Sequence, residues 1–91
     1  MPKYLIECTI PNIGAASGGD LQAISQKSCG MLNDLGPDVQ WVHSYVTGDK
    51  IYCIYNAANE QLVRDHDRLG GFPIDTVARI ATTIDPTTVE V

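Results

Sequence analysis

The stretch WVHSYVTGDKIYCIY, residues 41–55, alternates in polarity on both sides of a Gly48-Asp49 pair. Alternation about a two-residue turn dictates an antiparallel hairpin. Pairing across that turn sets Val46 opposite Ile51, Tyr45 opposite Tyr52, Ser44 opposite Cys53 and His43 opposite Ile54. One face of the hairpin then holds Val42, Ser44, Val46, Ile51, Cys53 and Tyr55, and the other holds Trp41, His43, Tyr45, Tyr52 and Ile54. The rest of the chain must therefore build on a sheet with one small apolar face and one aromatic face.

On the N-terminal side, a strand is expected over residues 3–10, with Tyr4, Ile6, Cys8 and Ile10 on one face and Leu5, Glu7 and Thr9 on the other, ended by Pro11. Ser17, three residues before Asp20, has the spacing of a capping box. It opens a helix in which Leu21, Ile24, Ser28, Leu32 and Leu35 share a stripe, and Gly36-Pro37 closes it. Beyond the hairpin, Asn59 is an N-cap for a second helix carrying Leu62, Val63, His66 and Leu69 on one stripe, with Gly70-Gly71 as its stop. A last strand runs over residues 76–84, and the tail TTVEV is expected to be frayed or lent to a neighbour. The order βαββαβ is that of a ferredoxin-like α+β sandwich: a four-stranded antiparallel sheet in the order 4-1-3-2 with two helices on one face, making a single domain of residues 1–91.

The smaller apolar set of the hairpin suits the helix-covered side, which leaves Trp41, His43, Tyr45 and Tyr52 on the open face. So large an apolar patch is rarely presented to water, and a homodimer packed through that face, with Trp41, Tyr45 and Tyr52 at the interface, is the expectation. A 91-residue chain also gains from the extra burial that pairing brings.

The formal net charge of −5, with Lys and Arg scattered, provides no basic stripe for a phosphate backbone and argues against nucleic acid as a partner. The N-terminal residues lack the apolar core of a secretory signal, and no apolar run of about 20 residues is available to span a membrane, so a cytoplasmic location is expected. Cys8, Cys29 and Cys53 form neither a disulfide framework nor a zinc spacing; Cys8 and Cys29 read as small buried residues in a reducing compartment.

Two histidines exist, and each suggests a site. His43 on the open face could bind a divalent metal together with Glu7, or serve as an interface histidine. His66 on the inner stripe of the second helix could meet Cys53 at the helix–sheet boundary, a donor pair suited to nickel, zinc or copper, or be a satisfied core residue beside an inert thiol. The run RDHDR, residues 64–68, reads mostly as solvated surface, and Arg79 is a candidate partner for Glu7 across the sheet. No glycine pattern for a nucleotide cradle and no GxSxG motif is found in the sequence.

The segments YLIECTIP, LQAISQKSC, WVHSYVTGDKIYCIYNAANE, RDHDRLGGFP and TTIDPTT closely resemble a small bacterial nickel-binding-protein-like family of ferredoxin-like fold, most of whose members have no established biochemical role. The resemblance spans nearly the whole chain and implies a ferredoxin-like homodimer that binds nickel in at least one relative. The acidic residue at Glu7, the aromatic hairpin around Tyr45, the thiol at Cys53 and the imidazole at His66 all match the family pattern. His43 stands where a different polar residue is usual, and DHDR replaces an EHAR-like helix segment.

The functional expectation is a small cytoplasmic dimer that binds a divalent transition metal, nickel foremost and zinc or copper otherwise, for sequestration or sensing. The candidate ligands are His43, His66, Cys53 and Glu7, completed by water or the second subunit. Two alternatives stand beside it. One is an enzyme of the dimeric α/β-barrel type, with a small organic substrate between sheet and helices and His43, Tyr45 or His66 as acid or base. The other is a plain dimerisation module. No catalytic residue is assigned.

Overall fold

The computed structural model describes residues 1–90. Its regular elements follow the order β1 (Lys3–Thr9), α1 (Gly18–Leu35), β2 (Val39–Val46), β3 (Lys50–Ala57), α2 (Glu60–Gly70) and β4 (Thr76–Ile80), with short 3-10 helices at Ile13–Ala15 and Pro86–Glu90. The four strands form one antiparallel sheet in the order β2-β3-β1-β4, which from the β4 edge is 4-1-3-2. The α+β arrangement is consistent with the ferredoxin-like expectation.

Local sequence explains most of the boundaries. The Ser17 side chain accepts from the Asp20 backbone N–H at 3.1 Å while Asp20 accepts from the Ser17 N–H, so the capping box is complete. Asn59 accepts from the Leu62 N–H at 3.0 Å and caps α2. At the other end of α2, Gly71 takes a left-handed φ of 72°, which turns the chain so that the Phe72 N–H reaches the Asp67 carbonyl. The 3-10 helix at Ile13–Ala15 is stitched to the hairpin tip by Ile10 N–H to Asp49 O and Gly14 N–H to Gly48 O.

Both helices cover the sheet face that carries Tyr4, Ile6 and Cys8 from β1 and Tyr55 and Ala57 from β3, with Val63 of α2 packed among them. Burying side chains such as Ile6 and Val63 completely contributes about 1.5–3 kcal/mol each. The opposite face of the sheet exposes or half-exposes Leu5, Glu7, Tyr45, Tyr52 and Ile54.

Five sequence expectations are corrected here. Trp41 lies on the helix-covered side: the register steps from Trp41 opposite Tyr55 to His43 opposite Ile54, so a β-bulge absorbs one residue and moves every residue N-terminal to it to the other face. β4 ends at Ile80 and does not reach residue 84, because its partner β1 begins at Lys3, the residue opposite Ile80. On α2 the buried stripe is Val63, His66, Asp67 and Gly70, while Leu69 is exposed. Cys29 is exposed on α1, one residue off the buried stripe marked by Ser28. The C-terminal tail expected to be frayed instead carries a 3-10 helix over Pro86–Glu90, with the Asp85 carboxylate accepting from Thr87 and the Thr88 hydroxyl from the Asp85 N–H; Val91 lies outside the described residues.

Candidate functional site: a cavity between helix α1 and the sheet

A cavity of about 400 Å³ opens between α1 and the β2–β3 hairpin. Its helix wall is Leu21, Ile24, Ser25 and Ser28; its sheet wall includes Trp41, Val46, Ile51, Cys53 and Tyr55, with Cys8 deeper on β1 and Phe72 at one end. The wall is mostly apolar because the strands alternate and place their inward set here, as does the stripe of α1. Phe72 is aimed inward by the αL turn at Gly71, and the Lys27 ammonium lies 5.7 Å from its ring centroid.

The polar groups of the wall are few and converge. His66, completely buried behind the cavity, places Nε2 3.1 Å from Ser28 Oγ and 3.1 Å from the Tyr55 hydroxyl. The residues come from α2, α1 and β3, so three separate elements meet at one imidazole nitrogen. The other ring nitrogen, Nδ1, is buried without a protein partner. Burial lowers the His66 pKa, keeping the ring neutral, and burial likewise raises that of the Tyr55 hydroxyl.

A second polar feature comes from the Trp41–His43 bulge. The Trp41 indole N–H donates to Ser44 Oγ at 2.9 Å. Cys53 pairs opposite Ser44 in the register, and burial raises its thiol pKa, with the neighbouring Ser44 hydroxyl opposing the shift in part. Cys8, diagonal to Cys53 on the same face, is pushed up to about 12, by burial first and by the nearby Asp67 second. These thiols are held protonated, which is unfavourable for nucleophilic attack.

Asp67 is the residue that the sequence hides. It is read as part of a solvated run, yet it is buried, its Oδ2 has no protein partner, and desolvation raises its pKa to about 7. It lies on the buried stripe of α2 that carries Val63 into the core with Cys8 and Tyr55, and its charge raises the pKa values of Cys8, Cys53 and Tyr55. The available signal is geometric: positions 63, 66, 67 and 70 form one helical stripe whatever their polarity.

The remaining candidate residues are dispersed. Glu7 forms an ion pair with Lys50 and not with Arg79, which stands opposite Tyr4. His43 is exposed, with its ring edge-on to Tyr45 at 5.0 Å between centroids and Nε2 3.1 Å from the Tyr45 hydroxyl. Glu7 and His43 lie on β1 and β2, with β3 between them, and His66 is engaged by two hydroxyls inside the core. Among the described residues, no group of three or more His, Cys, Asp or Glu side chains is arranged to hold a metal ion. The described donors of one chain therefore do not converge on a nickel position. No helix among the described residues is long and apolar enough to cross a membrane.

With this geometry in view, comparison with known proteins assigns the chain. It belongs to the family described as nickel responsive protein SCO4226-like, whose model matches residues 4–80. Among solved structures it is similar to SCO4226 from Streptomyces coelicolor A3(2), with a TM-score of 0.76 at 13% identity over 90% of this chain and 99% of that one. At that identity the likeness speaks for the fold. No functionally curated protein matches the chain.

Proposed function

We propose that this member of the SCO4226-like family is a small-ligand-binding protein whose helix–sheet cavity receives a compact, largely apolar organic molecule. The observation that carries this reading is the cavity of about 400 Å³, apolar on most of its wall and ending in the Ser28–His66–Tyr55 cluster. Enclosed apolar walls with a few convergent polar groups are the ordinary construction of a small-molecule site. The same cluster argues for binding over acyl transfer. If His66 were to take a proton from Ser28, Nε2 would have to be unprotonated, which puts an N–H on Nδ1, where no protein acceptor waits.

The test is a fragment titration followed by amide and indole resonances. Shifts concentrated at Ser28, Cys53, Phe72 and the Trp41 indole support the reading; shifts scattered over the surface, or none, overturn it.

The family description favours a second reading, in which the protein binds nickel, or zinc or copper, for sequestration or sensing. Because no convergent donor set is found among the described residues, such a site needs side chains from two copies, and exposed His43, beside Tyr45 on the open sheet face, is the ligand best placed to be shared. A homodimer through that face, with Tyr45 and Tyr52 central and Trp41 left behind on the cavity side, is part of this reading. Three free cysteines accord with a cytoplasmic setting. Calorimetric titration of chelator-treated protein with each metal tests it: binding lost in His43→Ala and kept in His66→Ala supports a shared surface site, and no binding by the wild type rejects it.

A further inference from the structure

The hydrogens of the Ser28–His66–Tyr55 cluster decide what the cavity recognises. Both contacts, 3.1 Å each, converge on one nitrogen of a fully buried ring, and the second nitrogen has no protein partner. Two tautomers of the neutral ring are available. With the proton on Nδ1, a buried N–H donor is left unpaired; with the proton on Nε2, only an acceptor lone pair is. Buried donors without partners are the rarer and costlier of the two. The Nε2–H form is therefore the stable one, and His66 donates to the hydroxyl oxygens.

That assignment fixes the next bond. A hydroxyl has one hydrogen to give. With Nε2 acting as donor, neither Ser28 nor Tyr55 can give its hydrogen to the ring. The two hydroxyl oxygens share one donor, the His66 Nε2–H, each 3.1 Å from it. Even if one hydroxyl gives its hydrogen to the other, the second hydrogen has no acceptor within the cluster. Both residues line the cavity, so that hydrogen is directed into it.

We infer that the polar end of the cavity is a hydrogen-bond donor site for a carbonyl oxygen, and that the ligand class is a small aromatic or alicyclic ketone, aldehyde or quinone-like compound rather than a hydrocarbon or an N–H donor. This rests on the cavity being a ligand site at all. The apolar wall of Leu21, Ile24, Trp41, Ile51 and Phe72 holds the hydrocarbon body, and the His66-backed hydroxyl pair orients its oxygen. A carboxylate ligand is disfavoured, because Asp67 is buried beside His66 on α2 and, among the described residues, no Lys or Arg lines the cavity.

Three probes of similar size separate the possibilities: acetophenone, which only accepts; indole, which only donates; and ethylbenzene, which does neither. Each is titrated into the wild-type chain and into the double variant Tyr55→Phe/Ser28→Ala by protein-observed NMR. The expected result is that acetophenone binds about tenfold tighter than ethylbenzene to the wild type, one well-made hydrogen bond's worth. The advantage disappears in the double variant, with ethylbenzene affinity little changed. Ethylbenzene bound as tightly as acetophenone, or indole preferred over it, overturns the inference while leaving the cavity a ligand site. Failure of all three to shift cavity resonances in the wild type overturns the inference and the binding reading together. The wild-type comparison alone decides the matter if the double variant does not fold.

Discussion

The indole N–H of Trp41 reaches Ser44 Oγ at 2.9 Å, three residues along the same strand. In a regular strand, residues three apart point to opposite faces, so this bond exists only because the bulge at Trp41–His43 inserts a residue between them. Removing the bond by Ser44→Ala is expected to cost about 1 kcal/mol. It should also alter the emission of Trp41, the one tryptophan in the chain. Deleting Val42, the inserted residue, is expected to leave that emission maximum nearly unchanged, because the shortened strand still sets Trp41 opposite Tyr55. A strong red shift on deletion would mean that Trp41 does not hold this register.

Asp67 and His66, neighbours on α2, oppose each other with pH. The folded-state pKa of Asp67 is raised from 3.8 to about 7, so its contribution to stability is full below its unfolded pKa and lost as pH rises through 7. That of His66 is lowered, so its contribution is present above 6.5 and lost as pH falls. Asp67→Asn is expected to remove the loss on the alkaline side, worth about 3 kcal/mol between pH 4 and 8. Thermal melts across that range check it. A variant with the wild-type decline above pH 5 would show that Asp67 does not titrate as a buried acid.

The complementary change isolates the imidazole. In His66→Gln the acid-side loss should vanish, leaving stability that falls steadily from pH 4 to pH 8 as Asp67 ionises. Melting temperatures measured at pH 5 and pH 7 should therefore differ more in this variant than in the wild type. An equal or smaller difference contradicts the assignment of a neutral, desolvated His66 in the native state.

Gly14 is fixed by close approach and not by an unusual dihedral. A β-carbon there would stand 2.6 Å from the Thr47 carbonyl oxygen and 2.9 Å from Gly48 Cα, both backbone atoms of the hairpin tip. Gly14→Ala is expected to push the 3-10 segment off the tip and destabilise the fold by about 1–3 kcal/mol. Chemical denaturation measures this. A loss below 0.5 kcal/mol, to a rough order of magnitude, would show that the tip moves freely.

The Glu7–Lys50 ion pair bridges β1 and β3 on the open face with both side chains partly exposed. Glu7→Gln is expected to cost less than about 1 kcal/mol, and less still in high salt. Denaturation at two salt concentrations checks both statements. A larger, salt-independent loss would mean that this face is shielded from solvent in the assembled protein.

The parts of this architecture that local chemistry controls were legible residue by residue. Ser17 with Asp20, Asn59 with Leu62 and the Gly48-Asp49 turn act over three residues or fewer, and the hairpin register follows from the turn as far as His43. The bulge was not legible, because Val42 is neither Gly nor Pro and an inserted valine looks like a continuing strand. Asp67 is hidden for the opposite reason: its charge masks its position on the buried stripe of the helix. The site lies between these cases. Periodicity puts Ser28, Tyr55 and His66 each on an inward stripe, but their meeting point depends on how α1 and α2 cross the sheet. Polar tips on three separate inward faces were the available signal.

β2 is an edge strand of the sheet, and its bulge falls between Trp41 and His43 near the middle of its length. An edge offers an unpaired row of N–H and C=O groups on which another chain can add a strand. The bulge interrupts that row and bends it, so a second copy cannot extend the sheet by continuous strand addition along β2. One inserted residue thus turns the indole into the cavity and also guards the molecule against growing edge to edge into fibrous aggregates.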